Sequence, residues 1–298
     1  MNDISLIAHI EGEPLVGVAA LAAAKRAAEL LSTGDSLAYL GPGVLAEDGA
    51  AHAIPLTPEA LAAELNKRHP APGRIRKDLW AVAQFIEQRR HRKTLSAFMM
   101  DIFKPEVAPT ELHLRLAALR PPLIVDTWYD GAMRAALSRV PPGLADWGEI
   151  QGVTRAVEAG AQWWKNYDAA GALASDALSL GWRTALYKPH GAVEPAGQAL
   201  VADNDYVEVL TEIDIQTPIP DIVRQRREGR GFVFLGCRFH DQMLRTYARQ
   251  IIKRSGGGHY AFVDPAILTV NERRFFAAQD ITPIALPPSA LTPLLAAI

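Results

Sequence analysis

Apolar and polar positions along this chain follow two rhythms. Short apolar runs that stop at Gly, Pro or Asp occur at 36–40, 123–125, 231–235, 259–263 and 281–286. Runs of that length, rich in β-branched and aromatic residues and closed by turn residues, predict strands. Between them, apolar residues recur with a 3.6-residue spacing at 14–31, 57–66, 78–90, 95–103, 132–140, 241–252 and 272–279. That spacing predicts helices, and Thr57 and Asp241 stand where N-caps are expected. Strands alternating with helices predict a parallel sheet covered on both faces. The stretch 57–119 reads as a helical insertion and 141–180 as a second one. The sheet-bearing core is then left to about 34–56, 120–140 and 181–286, within a single domain spanning 1–298.

Composition narrows the class. The 298 residues are 49% hydrophobic and 21% charged, with 31 Lys+Arg against 33 Asp+Glu and a net charge of −2. These values fit a globular α/β chain with no global attraction to nucleic acid or anionic lipid. The one cysteine, Cys237, excludes an intrachain disulfide framework and suits a reducing compartment. No export signal precedes Pro14, and the long uncharged stretch 281–298 carries four prolines, so a cytoplasmic protein with no membrane span is expected. The eight histidines show no paired helical spacing, so no metal site is expected. The basic segment 67–93 could face nucleic acid, but Trp80 and Phe85 sit in it at core-like spacing, which favours a solvated helix face.

Ligands of open parallel sheets bind beyond the carboxyl ends of the strands. Three loops of unusual chemistry fall there. Gly41-Pro42-Gly43 follows the first strand, where glycines let a backbone approach a phosphate. Asp126-Thr127-Trp128-Tyr129-Asp130 links a strand to a helix, with Asp130 readable as a site carboxylate or as a helix cap. Lys188-Pro189-His190-Gly191 offers an imidazole.

Taken in order, these segments resemble the SIR2-like (sirtuin-related) NAD-binding family, over roughly 34–286. Leu40-Gly41-Pro42-Gly43-Val44 with Ile54-Pro55 is similar to its Gly-Ala-Gly loop. Ile124 to Asp130, with Pro109-Thr110, His113 and Leu119 before it, is similar to its Thr-Thr-Asn-Tyr-Asp segment. His190-Gly191 matches its Leu-His-Gly. Asp205-Tyr206 and Phe234 to Asp241 match its Asp-Tyr and Leu-Gly-Tyr-Ser-x-x-Asp. The resemblance implies an α/β, Rossmann-like three-layer fold with a parallel sheet and an inserted helical subdomain. It places the chain with bacterial NAD hydrolases, not with the deacetylases, whose zinc module needs four cysteines.

The same resemblance implies an NAD ligand, or its product ADP-ribose. It implies His190 as general base and Asp130 as the motif's acidic residue. It also implies Gly41, Gly43 and Gly236 on the loops that approach pyrophosphate and ribose, with Thr127, Trp128, Gly191 and Cys237 beside them. Trp128 stands where the family has asparagine, and Pro42 where it has alanine. Tryptophan donates one hydrogen bond and accepts none, so it cannot orient water as an amide does, although it can stack on a ring. Two readings follow: an NAD+ hydrolase, or a binding protein that acts as a sensor or partner subunit, a homo-oligomer included. An adaptor using the basic helices is a third.

Overall fold

The computed structural model describes residues 12–46, 52–144, 146–153, 163–206 and 219–298. Its centre is a sheet of nine strands. In chain order these are β1 (Ser36–Leu40), β2 (Leu123–Asp126), β3 (Trp147–Gly152), β4 (Trp164–Asp168), β5 (Leu173–Ala174), β6 (Thr184–Lys188), β9 (Gly231–Leu235), β10 (His259–Phe262) and β11 (Ile281–Ile284). A separate hairpin holds β7 (Gly191–Ala192) and β8 (Gln198–Ala199). The strands lie in the order β11-β10-β9-β1-β2-β6-β3-β4-β5. All neighbours from β11 to β3 run parallel, and β3–β4 and β4–β5 are antiparallel.

Burial on both faces explains why the central strands are continuous apolar runs. Along β1 the side chains alternate between two cores: Leu37 and Tyr39 enter one, Ala38 and Leu40 the other. The Leu40 side is covered by α1 (Gly17–Thr33), α5 (Glu111–Leu119), α6 (Ala132–Leu137) and a C-terminal helix, Leu291–Ala296. The Tyr39 side is covered by α3 (Pro58–Arg68), α4 (Leu79–Ile102) and the helices Asp221–Arg227, Gln242–Ile252 and Val270–Ala278. This is the expected α/β three-layer arrangement. Helix α4 is broken at His91, whose φ of 69° is not helical, so the two periodic stretches read from the sequence are two arms.

The stretch 57–119 carries α3, α4 and α5, but the reading of 141–180 as helical is corrected. Apart from 145 and 154–162, which lie outside the described residues, it carries β3, β4, β5, a short α-helix, Asp176–Leu180, and a single 3-10 turn, Pro142–Leu144. The signal was hidden because β3 buries charge and amide groups. Glu149 and Gln151 are fully buried; Arg134 Nη1 reaches Glu149 Oε2 at 2.6 Å, and Gln151 Nε2 donates to Glu149 Oε1 at 2.5 Å. A buried strand satisfied by salt bridge and amide does not read as an apolar run.

Strand β1 is the switch point of the sheet, flanked by β9 on one side and β2 on the other. The loops that leave β1 and β9 pass at backbone contact. Gly41 N–H donates to Leu235 O at 2.9 Å, and Gly43 N–H to Gly236 O at 3.0 Å. A Cβ on Gly41 would lie 2.5 Å from Gly236 O, and Gly236, at φ +64°, has no room for one against Val44 N. Gly236→Ala is therefore expected to cost about 2–4 kcal/mol in urea unfolding. Gly131→Ala, where no atom lies within 4 Å of the added Cβ, should stay within about 0.5 kcal/mol.

Candidate functional site

A cleft of about 810 Å³ opens where the carboxyl ends of β1, β2, β6, β9, β10 and β11 converge. That volume lies in the upper part of the range of small-molecule sites. Seven of the residues read from the sequence meet in its wall: Gly41, Gly43, Thr127, Trp128, His190, Gly236 and Cys237. Asp130 and Gly191 do not. Asp130 is buried below the wall, where Oδ1 accepts the Ala132 N–H at 2.8 Å at the start of α6. The N-cap of α6 is the next residue, Gly131, so Asp130 braces the turn that enters the helix. Gly191 sits in the β7–β8 hairpin at φ +72°, where a Cβ would come within 2.5 Å of Gln198 O.

The glycine loop is also not a free phosphate cradle. The amides of Gly41 and Gly43 are spent on Leu235 and Gly236, and Pro42 has none. Its glycines serve the close passage of two loops. Thr127 ties the next loop to the same strand end, donating its N–H and Oγ1 to Leu40 O at 3.0 and 2.8 Å. Trp128 is buried, and its indole N–H donates to Pro55 O at 2.9 Å. It presents ring surface to the cleft and holds no donor in reserve. Cys237 Sγ rests 3.5 Å from Tyr39 O and Leu235 O, and burial pushes its thiol up, so it is no nucleophile.

His190 is 3% exposed at the cleft wall. Tyr206 and Tyr129 both donate their hydroxyls to Leu200 O, at 2.9 and 2.7 Å. Tyr206 Oη thus retains lone pairs, and His190 Nδ1 lies 2.9 Å from it. The consistent tautomer carries the proton on Nδ1 and leaves Nε2 as an acceptor. Burial first, and then the nearby Lys188 ammonium, lower the imidazole to about 3. It is neutral at physiological pH.

Beneath His190 lies a pair that the sequence motif contained but did not single out. Lys188 Nζ is 2.6 Å from Asp126 Oδ2 and 2.9 Å from Asp130 O, all three residues buried. Burial opposes the Lys188 charge, but the carboxylates of Asp126, Asp130 and Glu149 outweigh it and raise its pKa. The pair clamps the end of β2 to the end of β6 and so sets the position of His190 two residues on. Its partners are 62 positions apart in sequence, which no local pattern reveals. His113, in the segment before β2, has its structural role: its Nδ1 closes the capping box of α5 with Thr110.

A second cluster, also missed, lies at the β9 side. Arg238 Nε and Nη2 contact Glu272 Oε1 and Oε2 at 2.9 and 3.1 Å, and Nη2 donates to Ile267 O at 2.9 Å. Glu272 is buried and also accepts from Phe239 N–H, Thr269 N–H and Thr269 Oγ1. Burial works against its charge, but Arg238 and these donors outweigh it and hold the carboxyl at about 2.

The family model described as "SIR2-like domain" matches residues 122–284. The chain belongs to the SIR2-like family. No curated protein matches it. The SIR2-like match runs from β2 to β11 and contains Trp128, His190 and Gly236, whereas Gly41 and Gly43 precede it. Membership points to an NAD-related function. Among the described residues no helix is long and apolar enough to cross a membrane. In the basic segment of the SIR2-like fold Arg92 Nη1 pairs with Asp205 at 2.7 Å and Glu87 at 3.0 Å, and Arg68 with Asp101 at 2.6 Å, while Arg74, Arg76, Lys77, Arg89, Arg90 and Lys93 are exposed.

The state of His190 is testable through stability. Folded, it stays neutral down to about pH 3; unfolded, it takes a proton near 6.5, so its contribution is lost as pH falls below 6.5. The His190→Gln protein should lose about 1.4 kcal/mol per pH unit less than the parent between pH 6 and 4.5, measured by urea unfolding at each pH. Equal slopes would show that His190 is protonated in the folded protein.

Proposed function

We propose that this cleft binds NAD+ and hydrolyses it to ADP-ribose and nicotinamide, with His190 as general base. The observation that carries this reading is an imidazole fixed in the cleft wall with Nδ1 2.9 Å from Tyr206 Oη, which leaves Nε2 to meet a ligand. Cleaving the bond between nicotinamide and ribose builds positive charge on the ribose. A neutral acceptor hydrogen-bonded to a ribose hydroxyl raises the electron density on that oxygen and so stabilises the charge. The bond's electron pair leaves with nicotinamide, water oxygen bonds to the ribose carbon, and its proton goes to solvent. The chain's own contribution is positional. Lys188 and Asp126 hold the strand end that carries His190, and Tyr206 fixes its tautomer. Trp128 and Tyr129 line the cleft as ring surface that limits water.

Trp128 also supports a second reading, binding of NAD+ or ADP-ribose without turnover. Its only polar hydrogen is committed to Pro55 O, so no amide orients the attacking water at that position. A stacked ring at this wall favours a ligand held and sensed, by this chain or by an assembly that includes it.

Nicotinamide release and thermal shift with NAD+ separate the two. Hydrolysis predicts release that falls at least about 100-fold in His190→Ala, in keeping with the usual contribution of a general base. The binding reading predicts a shift without release. No response to NAD+ or ADP-ribose would contradict both.

A further inference from the structure

Whatever negatively charged ligand enters this cleft meets an uneven distribution of donors. The loop expected to receive phosphate has none to give: Gly41 and Gly43 have committed their amides and Pro42 lacks one. Among the described lining residues Arg238 is the single Lys or Arg. Its guanidinium carries five N–H groups. Nε–H and both Nη2 hydrogens are taken by Glu272 and Ile267 O, and Nη1 has no partner among the described residues. It is therefore a cation held along its Nε–Nη2 edge, with the two hydrogens of Nη1 left to donate.

The support for that rigidity is unusually deep. Glu272 joins Arg238, the Phe239 amide and the start of the helix Val270–Ala278 in one carboxylate. Arg238 follows Gly236 and Cys237 directly, so it stands beside the switch point where the β1 and β9 loops interlock. In sheets of this kind the diphosphate of a dinucleotide lies across that point. The resembling family motif has serine at this position, a neutral group that could not carry the charge.

We propose that Arg238 is the diphosphate anchor of this cleft, oriented by Glu272, and that it replaces the amides of the glycine loop in holding an ADP-ribosyl group. The inference rests on the nucleotide-binding reading above and adds the group that recognises the ligand's charge. Glu272 acts through Arg238 and is a positioning residue. Its partial neutralisation of Arg238 leaves the two Nη1 hydrogens, each able to donate a charge-assisted hydrogen bond to a phosphate oxygen.

Calorimetric titration with ADP-ribose tests this without reference to turnover. Arg238→Gln is expected to weaken binding about 30-fold, the size of one lost charge-assisted contact, and Arg238→Lys to recover part of it. The parent's affinity should fall between 50 and 500 mM NaCl, and the Gln variant should lose most of that dependence. Should Arg238→Gln leave Glu272 unpaired and fail to fold, the double variant Arg238→Gln/Glu272→Gln removes both charges and should show the same loss. ADP-ribose binding that is unchanged in these variants, or weakened with its salt dependence intact, overturns the assignment while leaving the nucleotide reading standing. A parent protein that does not bind ADP-ribose overturns both.

Discussion

The contact between the loops that leave β1 and β9 constrains everything built around it. Two backbones cross with Gly41 and Gly43 against Gly236, at a separation that admits no Cβ. Two amide-to-carbonyl hydrogen bonds hold the crossing. It closes the floor of the cleft at the switch point between β1 and β9, and it sends Cys237 and Arg238 along one rim and Val44 and Leu45 into the short helix Gly43–Ala46 on the other. The crossing also has a chemical cost. Amides that meet phosphate in comparable folds are spent on the protein itself, and the charge for a ligand must come from a side chain.

A second constraint is the burial of charge below the site. Lys188 with Asp126 joins two strand ends, and Arg134 of α6 with Glu149 joins a helix to the buried strand β3. Removing one member of such a pair is costly, since the other is left as an uncompensated ion. What the pairs provide is position: Arg134–Glu149 ties helix α6 to β3, and Lys188–Asp126 ties the end of β6, and with it the backbone that carries His190, to the end of β2. The imidazole is then finished by Tyr206, Leu200 and Tyr247, whose ring centroid lies 4.5 Å from its own. The position of His190 is a product of the sheet's interior more than of its loops.

This division decides what the sequence disclosed. Strands β1, β2, β9, β10 and β11 were legible because both faces are apolar and each ends at Gly, Pro or Asp. Strand β3 was not, because Glu149 and Gln151 find partners only once Arg134 and the following turn are in place. In the cleft wall, Trp128, His190, Gly236 and Cys237 could be read from motif order. Asp130 could not be separated from a helix cap by sequence; in the structure it stands one residue before the N-cap Gly131 and accepts the Ala132 N–H. Arg238 and Glu272 stand 34 positions apart, and Arg238 breaks the motif that drew attention to its neighbours. Residues that act in pairs across the fold leave no local trace, and here they include the group best placed to meet a ligand's charge.

The central claim is that NAD+ occupies the carboxyl edge of the sheet, across the β1–β9 crossing. Hydrogen–deuterium exchange with and without saturating NAD+ tests it most directly. The account predicts slowed exchange in segments 39–46, 126–130, 236–240 and 264–272 together, with α1 and β4 unchanged. NAD+ binding that leaves those four segments unaltered, or protects a surface away from them, would contradict it.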